Sequence, residues 1–229
     1  MTTTDIKAVL FDLDGTLLDT IEDLTDSLNY VLAQYSLPLH TAEEVKRYVG
    51  NGIPRLLERA VSKHTSNEQI DQMYRKFLAY YQAHCRIKTR PYQGIPELLA
   101  ELRKKGFRLA VISNKVDTAT RELILYLFGH CFDFVLGATE GRKLKPDRAM
   151  LDAAMRGLSV DPSEAIYVGD SQVDIESARN AGIPCISVTW GFRSRDSLIE
   201  GGASMLADTP DDVLRFILSV DEGKESLAE

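Results

Sequence analysis

The chain has 229 residues, 44% hydrophobic and 27% charged, enough for one large domain or a domain carrying a sizeable insertion. Its net charge of −7, with no basic stripe, argues against nucleic acid or an anionic membrane surface as partner. Cys85, Cys131 and Cys185 are odd in number and lack metal-site spacing, and the first residues lack a basic region followed by a long apolar run. These features lead us to expect free thiols, no signal peptide or membrane span, and a cytoplasmic protein.

In chain order, the first apolar run, 6–11, ends at Asp12-Leu13-Asp14 and a Gly15-Thr16 pair that turns the chain. Residues i and i+2 of extended backbone point the same way, so Asp12 and Asp14 can face one reaction centre, one attacking while the other manages protons. Turn chemistry alone explains Asp14-Gly15 but not a second acid against a buried strand end. From Thr20 to about Cys85 no strand is evident. Ile21, Leu24, Leu28, Val31, Leu32 and Tyr35 recur at helical spacing, and Thr41/Glu44 and Ser66/Gln69 form capping-box patterns. The second box precedes an apolar face of Ile70, Met73, Phe77 and Tyr81. Several helices are too many for one ordinary crossover, so residues 18–86 are expected to form an inserted helical domain, hinged near Leu18 and Arg86. Residues 1–17 and 87–229 would then be the core.

Beyond the insertion, apolar runs at 107–113, 132–137, 165–169 and 184–190 alternate with helix signals. Pro96 lies near one helix start, and residues 103–105 with Gly106 close that helix. Helices are also expected over 147–158 and 174–181, with a last one opened by Thr209-Pro210 and a polar, frayed tail from Asp221. The fold class is therefore α/β: a doubly wound parallel sheet, a Rossmann-like core, with an inserted α-helical cap.

Ligands bind at the carboxyl edge of such sheets. The residues at the strand exits are Asp12 and Asp14, then Ser113 and Asn114, then Asp170 with Ser171 and Asp174, while Lys145 opens another crossover. Singly, each has an ordinary reading as a helix cap or a solvated side chain. Together they favour a phosphate-and-metal site. Ionised Asp12, Asp170 and Asp174 carry three negative charges, which Lys145 reduces to two. Unit charges about 4 Å apart interact by roughly 4 kcal/mol at an effective dielectric of 20, so a phosphate dianion would be repelled without a divalent cation. Mg2+ suits a few carboxylates plus phosphate and water.

In order along the chain stand FDLDGTLLDT, VGNGI, PYQGIPELL, ISNK, KLKPD, VGDSQVDIESARNAGIP and VTWGF. By these motifs the chain resembles the haloacid dehalogenase-like superfamily of phosphotransferases, and within it the phosphoglycolate phosphatases, over nearly its whole length. The resemblance implies Asp12 as the nucleophile that forms an aspartyl-phosphate and Asp14 as general acid, then base. Ser113, Asn114 and Lys145 would hold the phosphoryl group, helped by Gly15 and Thr16. Asp12, the Asp14 carbonyl and Asp170 would bind Mg2+, with Asp174 standing just behind them. Asp14 speaks against the true dehalogenases, whose leaving halide needs no proton. No lysine among Lys46, Lys63 and Lys76 stands out as the Schiff-base residue of phosphonatases. Arg148, where many relatives carry proline, departs from the pattern with little consequence.

The expected partner is a small phosphorylated metabolite, 2-phosphoglycolate first, and the expected assembly a monomer or homodimer. A sugar-phosphate mutase similar to β-phosphoglucomutase shares the catalytic set and remains an alternative, although DGTLLDT rather than a DGV-type sequence leans away from it. A receiver-type signalling module also takes phosphate on a strand-end aspartate, but has about half this length and no helical insertion. Discrimination among substrates falls to the cap, where Gly50, Gly52, Pro54 and Arg55 form the candidate specificity segment: glycines for close backbone approach, Arg55 for a substrate carboxylate. An ordinary helix–helix turn with a surface arginine explains the segment equally well. Trp190-Gly191-Phe192 either lines the site or packs, and His40, His64, His84 and His130 show no ligand spacing.

Overall fold

The computed structural model describes residues 6–221; the expected frayed tail falls largely outside them, on 222–229. Six parallel strands form one sheet in the order β5-β4-β1-β6-β7-β8. They are β1 (Ala8–Phe11), β4 (Arg108–Val116), β5 (Phe134–Ala138), β6 (Ala165–Gly169), β7 (Cys185–Val188) and β8 (Met205–Ala207). The central strand β1 is buried along its length, and its side chains divide by parity. Val9 and Phe11 join a cluster with Leu98 and Leu102 of α5 (Ile95–Lys104) and Val213 and Ile217 of α10 (Pro210–Asp221). Ala8 and Leu10 face Met150, Leu151 and Ala154 of α7 (Ala149–Leu158) and Ala178 of α8 (Gln172–Ala181). Each fully buried aliphatic side chain contributes about 1.5–3 kcal/mol, so β1 is anchored from both faces and fixes the place where Asp12 emerges.

The chain crosses from β1 to β4 and β5 on one side and later to β6, β7 and β8 on the other, so the crevice at the end of β1 is the point where strand order reverses. Two elements in this region gave little sequence signal: β8, three residues long, and α6 (Asp117–Phe128), which leads from β4 to β5. The expected strand 107–113 is longer than anticipated. β4 runs to Val116, with an irregularity in its pairing to β5 between Ile112 and Val116.

The stretch expected to be helical holds α1 (Ile21–Gln34), α2 (Ala42–Tyr48), α3 (Ile53–Ala60) and α4 (Asn67–His84). Both capping boxes form, Thr41 with Glu44 and Ser66 with Gln69. Leu24, Leu28, Leu56, Leu57 and Phe77 make the interior of this unit, which runs without a break into the sheet cluster of Val9 and Phe11. The entry and exit are tied by a short antiparallel pair, β2 (Leu18–Asp19) with β3 (Arg90–Pro91). Buried Asp23 reinforces the tie by accepting hydrogen bonds from the backbone N–H groups of Lys88 and Thr89. This tie on the exit side falls a few residues beyond Arg86.

Candidate active site

The turn after β1 is built around one carbonyl. Leu13 O accepts from the N–H groups of Thr16, Leu17 and Leu18, while the Asp14 carbonyl takes no part in those bonds. Gly15 adopts φ +87°, and a Cβ there would meet Asp170 Oδ2 at 2.2 Å. Gly191 closes from the other side, where a Cβ would lie 2.4 Å from both Asp170 Cβ and the Gly15 carbonyl. Asp170 is thus held between two backbones that approach only because neither carries a side chain. Its Oδ2 accepts from the N–H of Phe192 at 2.7 Å.

Asp12, Asp170 and Asp174 are buried and can each offer a carboxylate oxygen within 4.8 Å of the others. Lys145 enters from the opposite crossover. Its ammonium lies 2.7 Å from Asp12 Oδ1 and 2.8 Å from Asp174 Oδ1, and donates to the Tyr167 hydroxyl at 2.9 Å. These contacts use all of its protons. Asp174 is fully engaged, since its Oδ2 also accepts from the N–H and hydroxyl of Ser171, closing a capping box at the start of α8. Burial pushes the Asp12 carboxyl up to about 7 against the pull of Lys145, with Asp174 adding repulsion. Burial, then Asp174 and Asp12, hold Asp170 well above the carboxylate range. Lys145 is raised despite its burial, because two carboxylates face it. The donor set of Asp12, Asp170 and the Asp14 carbonyl, which accepts no hydrogen bond among the described residues, is all oxygen, and burial makes its two carboxyls resist ionisation. A hard divalent cation fits it.

Ser113, Asn114 and Lys145 line the same cavity as Asp12 and Asp14. The Asn114 amide accepts from Lys145 N–H at 2.9 Å and donates to the carbonyls of Lys145 and Gly50, each at 3.0 Å. It therefore joins two core loops to the helical insertion. Thr16 is fully buried, its hydroxyl without a hydrogen-bond partner among the described residues, and its carbonyl accepts from Trp190 Nε1 at 3.1 Å. Gly52 lines the cavity, as do Ile53 and Leu56 of α3. Arg55 does not. It lies on the solvent face of α3 and pairs with Glu58 at 2.5 Å, away from the cavity where its expected role toward a substrate carboxylate would place it.

Two cavity cations had not been picked out from the sequence. Lys115 is the penultimate residue of β4, with its ammonium 2.8 and 3.2 Å from the two carboxylate oxygens of Asp14, and the pair is almost wholly buried. Arg193, one residue beyond Phe192, donates to the carbonyls of Lys46 and Val49 at the end of α2, both at 2.5 Å. Lys115 stood in the ISNK motif and was overlooked because the strand was expected to end at Ser113. Arg193 follows a glycine-aromatic loop that leaves no periodic trace.

A strand-end carboxylate pair, an ammonium bridging two acids and a capped helix behind them define a class, and the sequence profile of the haloacid dehalogenase-like hydrolases matches residues 9–188: the chain belongs to that family. More narrowly, it is a hydrolase that resembles the phosphoglycolate phosphatases. It is 34% identical over 209 residues to the phosphoglycolate phosphatase of Pseudomonas savastanoi pv. phaseolicola, covering 88% of this chain and 76% of that one. It is also 34% identical over 218 residues to the N-acetylmuramic acid 6-phosphate phosphatase of Pseudomonas aeruginosa, covering 91% and 93%. A crystal structure of a candidate phosphoglycolate phosphatase from Lactobacillus delbrueckii subsp. bulgaricus superposes with a TM-score of 0.90 at 35% identity, covering 93% of this chain and 98% of that one. No helix among the described residues is long and apolar enough to cross a membrane.

Proposed function

We propose that the chain is a Mg2+-dependent phosphomonoesterase that works through an aspartyl-phosphate on Asp12, with a small phosphorylated metabolite, 2-phosphoglycolate foremost, as substrate. The observation that carries this reading is the buried Asp12 carboxylate, gripped at one oxygen by Lys145 and left with the other toward the cavity that Ser113 and Asn114 line. That free oxygen attacks phosphorus while the ester P–O bond breaks. Asp14 gives a proton to the departing alkoxide, then takes one from the water that cleaves the aspartyl-phosphate, releasing phosphate and restoring Asp12. Ser113 and Asn114 hold the phosphoryl group, and the charge of Lys145 neutralises its oxygens. Asp12, Asp170 and the Asp14 carbonyl would hold Mg2+, whose positive charge would offset that of the acids and the phosphate. Asp174 keeps Lys145 and Ser171 in place.

Residues 18–86 form the cap in this reading, closing over the phosphoryl site and excluding water. The cavity shared by Asp12, Ser113 and Asn114 lies beneath it, lined from the cap side by Gly52, Ile53 and Leu56. We assign the protein to the cytoplasm and expect it to act as a monomer or homodimer without nucleic acid or membrane as partner.

The test is a kcat/KM series over small phosphate esters in Mg2+ and in chelator, for wild type and Asp12→Asn. Wild type should turn over only with metal, and the variant should lose at least about 10³-fold in rate. Turnover retained in folded Asp12→Asn, or undiminished in excess chelator, removes the mechanism.

A further inference from the structure

Lys115 is a lysine whose side chain is 3% exposed, aimed into the phosphoryl cavity, yet the catalytic steps above give it nothing to do. It touches Asp14 on one side and the cap on the other: its ammonium lies 4.6 Å from the ring centroid of Tyr81, on α4. Tyr81 is buried, and among the described residues its hydroxyl proton finds no acceptor, the Lys115 ammonium beside it being a donor only. A bound anion would supply that acceptor. A second cavity of about 70 Å3 opens between cap and core at this point, lined by Tyr81, Gln82, Val116 and Thr118. Ile53 and Lys115 line both this cavity and the phosphoryl cavity.

We propose that Lys115 and the Tyr81 hydroxyl form a subsite for a second, anionic group of the substrate, a carboxylate carried close to the ester oxygen. The proposal rests on the phosphomonoesterase reading and supplies its specificity. Asp14 must face the ester oxygen to protonate it. In phosphoglycolate the carboxyl carbon is two bonds from that oxygen, so the carboxylate falls beside Asp14, where the ammonium already sits. Both Asp14 oxygens are occupied by Lys115 in the present arrangement. A substrate carboxylate draws the ammonium toward Tyr81 and frees Asp14 to turn to the ester oxygen, whereas a neutral ester of the same size leaves the pair closed. The charges agree: Lys145 and the metal answer the phosphate, and Lys115 answers the third negative charge. One contact comes from the core and one from the cap, so the subsite is complete only when the cap is down.

The experiment compares 2-phosphoglycolate with 2-hydroxyethyl phosphate, a neutral-tailed ester of matched length, in wild type, Lys115→Met and Tyr81→Phe. The ratio of their kcat/KM values cancels any general damage to Asp14. It should fall about 100-fold in Lys115→Met, as for one side of a buried charge pair removed, and about 10-fold in Tyr81→Phe, as for a hydrogen bond to a charged group lost. An unchanged ratio, with both rates falling together, makes Lys115 a holder of Asp14 only and overturns the subsite. Should Lys115→Met fail to fold, Tyr81→Phe decides alone, because it removes one oxygen. Calorimetric binding of the two esters to Asp12→Asn, with and without the Tyr81→Phe change, gives the same ratio without turnover. If wild type hydrolyses neither ester the enzymatic reading fails, while the binding ratio still supports or overturns the subsite.

Discussion

Lys145 meets Asp12, Asp174 and Tyr167 with one ammonium, and Lys115 meets both oxygens of Asp14, so the two acids after β1 differ in more than sequence position. Asp12 gives one oxygen to Lys145 and lines the cavity, whereas Asp14 gives both of its oxygens to a single cation. Different partners for two neighbouring acids permit different roles. Asp14→Asn should therefore lower kcat/KM about 10²–10⁴-fold for alkyl phosphates, the usual contribution of a general acid, and by far less for p-nitrophenyl phosphate, whose leaving group needs little protonation. Equal losses for both esters would remove Asp14 as the acid. Asp12, Asp14, Asp170 and Asp174 were legible from sequence because each follows a buried apolar run or sits one helical turn beyond it. Lys115 was not: in a strand, alternation hides whether a polar residue past the apparent end lies in solvent or in a cavity, and only the β4 extension to Val116 decides. Arg55 stands apart from the cavity for a related reason, since Ile53 and Leu56 take the cavity face of α3 and leave residue 55 to solvent.

Secondary structure with strong local rules was readable, and structure that depends on distant partners was not. The capping boxes at Thr41 and Ser66 and the proline-led starts of α5 and α10 all form, because their signals lie within four residues. The β2–β3 pair joins residues some seventy apart and carries no hydrophobic alternation, so nothing local announces it. The same holds for the contact of Arg193 and Asn114 with the α2–α3 loop: one donates to the carbonyls of Lys46 and Val49, the other to that of Gly50. These core side chains fasten the cap segment that Gly50 and Gly52 bring over the cavity. Arg193→Ala should raise amide exchange in residues 46–53 and lower kcat/KM at least about 10-fold, because it removes two hydrogen bonds to a charged group. Arg193→Lys should restore little, because a single ammonium does not match the fork that spans two carbonyls. Unchanged exchange with unchanged rate would show that the loop is held by its apolar contacts alone.

A site of this kind is a strain on the molecule that contains it. Without metal, burial and Asp174 hold Asp12 up to about 7 and Asp170 well above its ordinary range, so the folded chain binds protons there that the unfolded chain releases near pH 4. Where the native state holds more protons, the free energy of unfolding falls as pH rises. For Asp12 the loss begins above its unfolded value, near 4, and is complete above about 7. The exposed acids with lowered values, such as Glu43 and Asp147, act in the opposite sense around their ordinary values of 4.5 and 3.8, at the acid end of this window, and add little slope through the rest of it. Metal-free protein should thus lose stability on the order of 2 kcal/mol between pH 5 and 8. Saturating Mg2+ should remove that decline, because the ion favours the ionised carboxyls and binds only the folded arrangement. Asp170→Asn should flatten part of the metal-free slope and abolish most of the Mg2+ stabilisation, since it removes one of the repelling charges and one of the ligands together. Denaturant melts at several pH values, with chelator and with Mg2+, measure all of this. A metal-free profile flat from pH 5 to 8 would mean that the acids are already neutralised within the chain, and the argument for a cation built on their mutual repulsion would be lost.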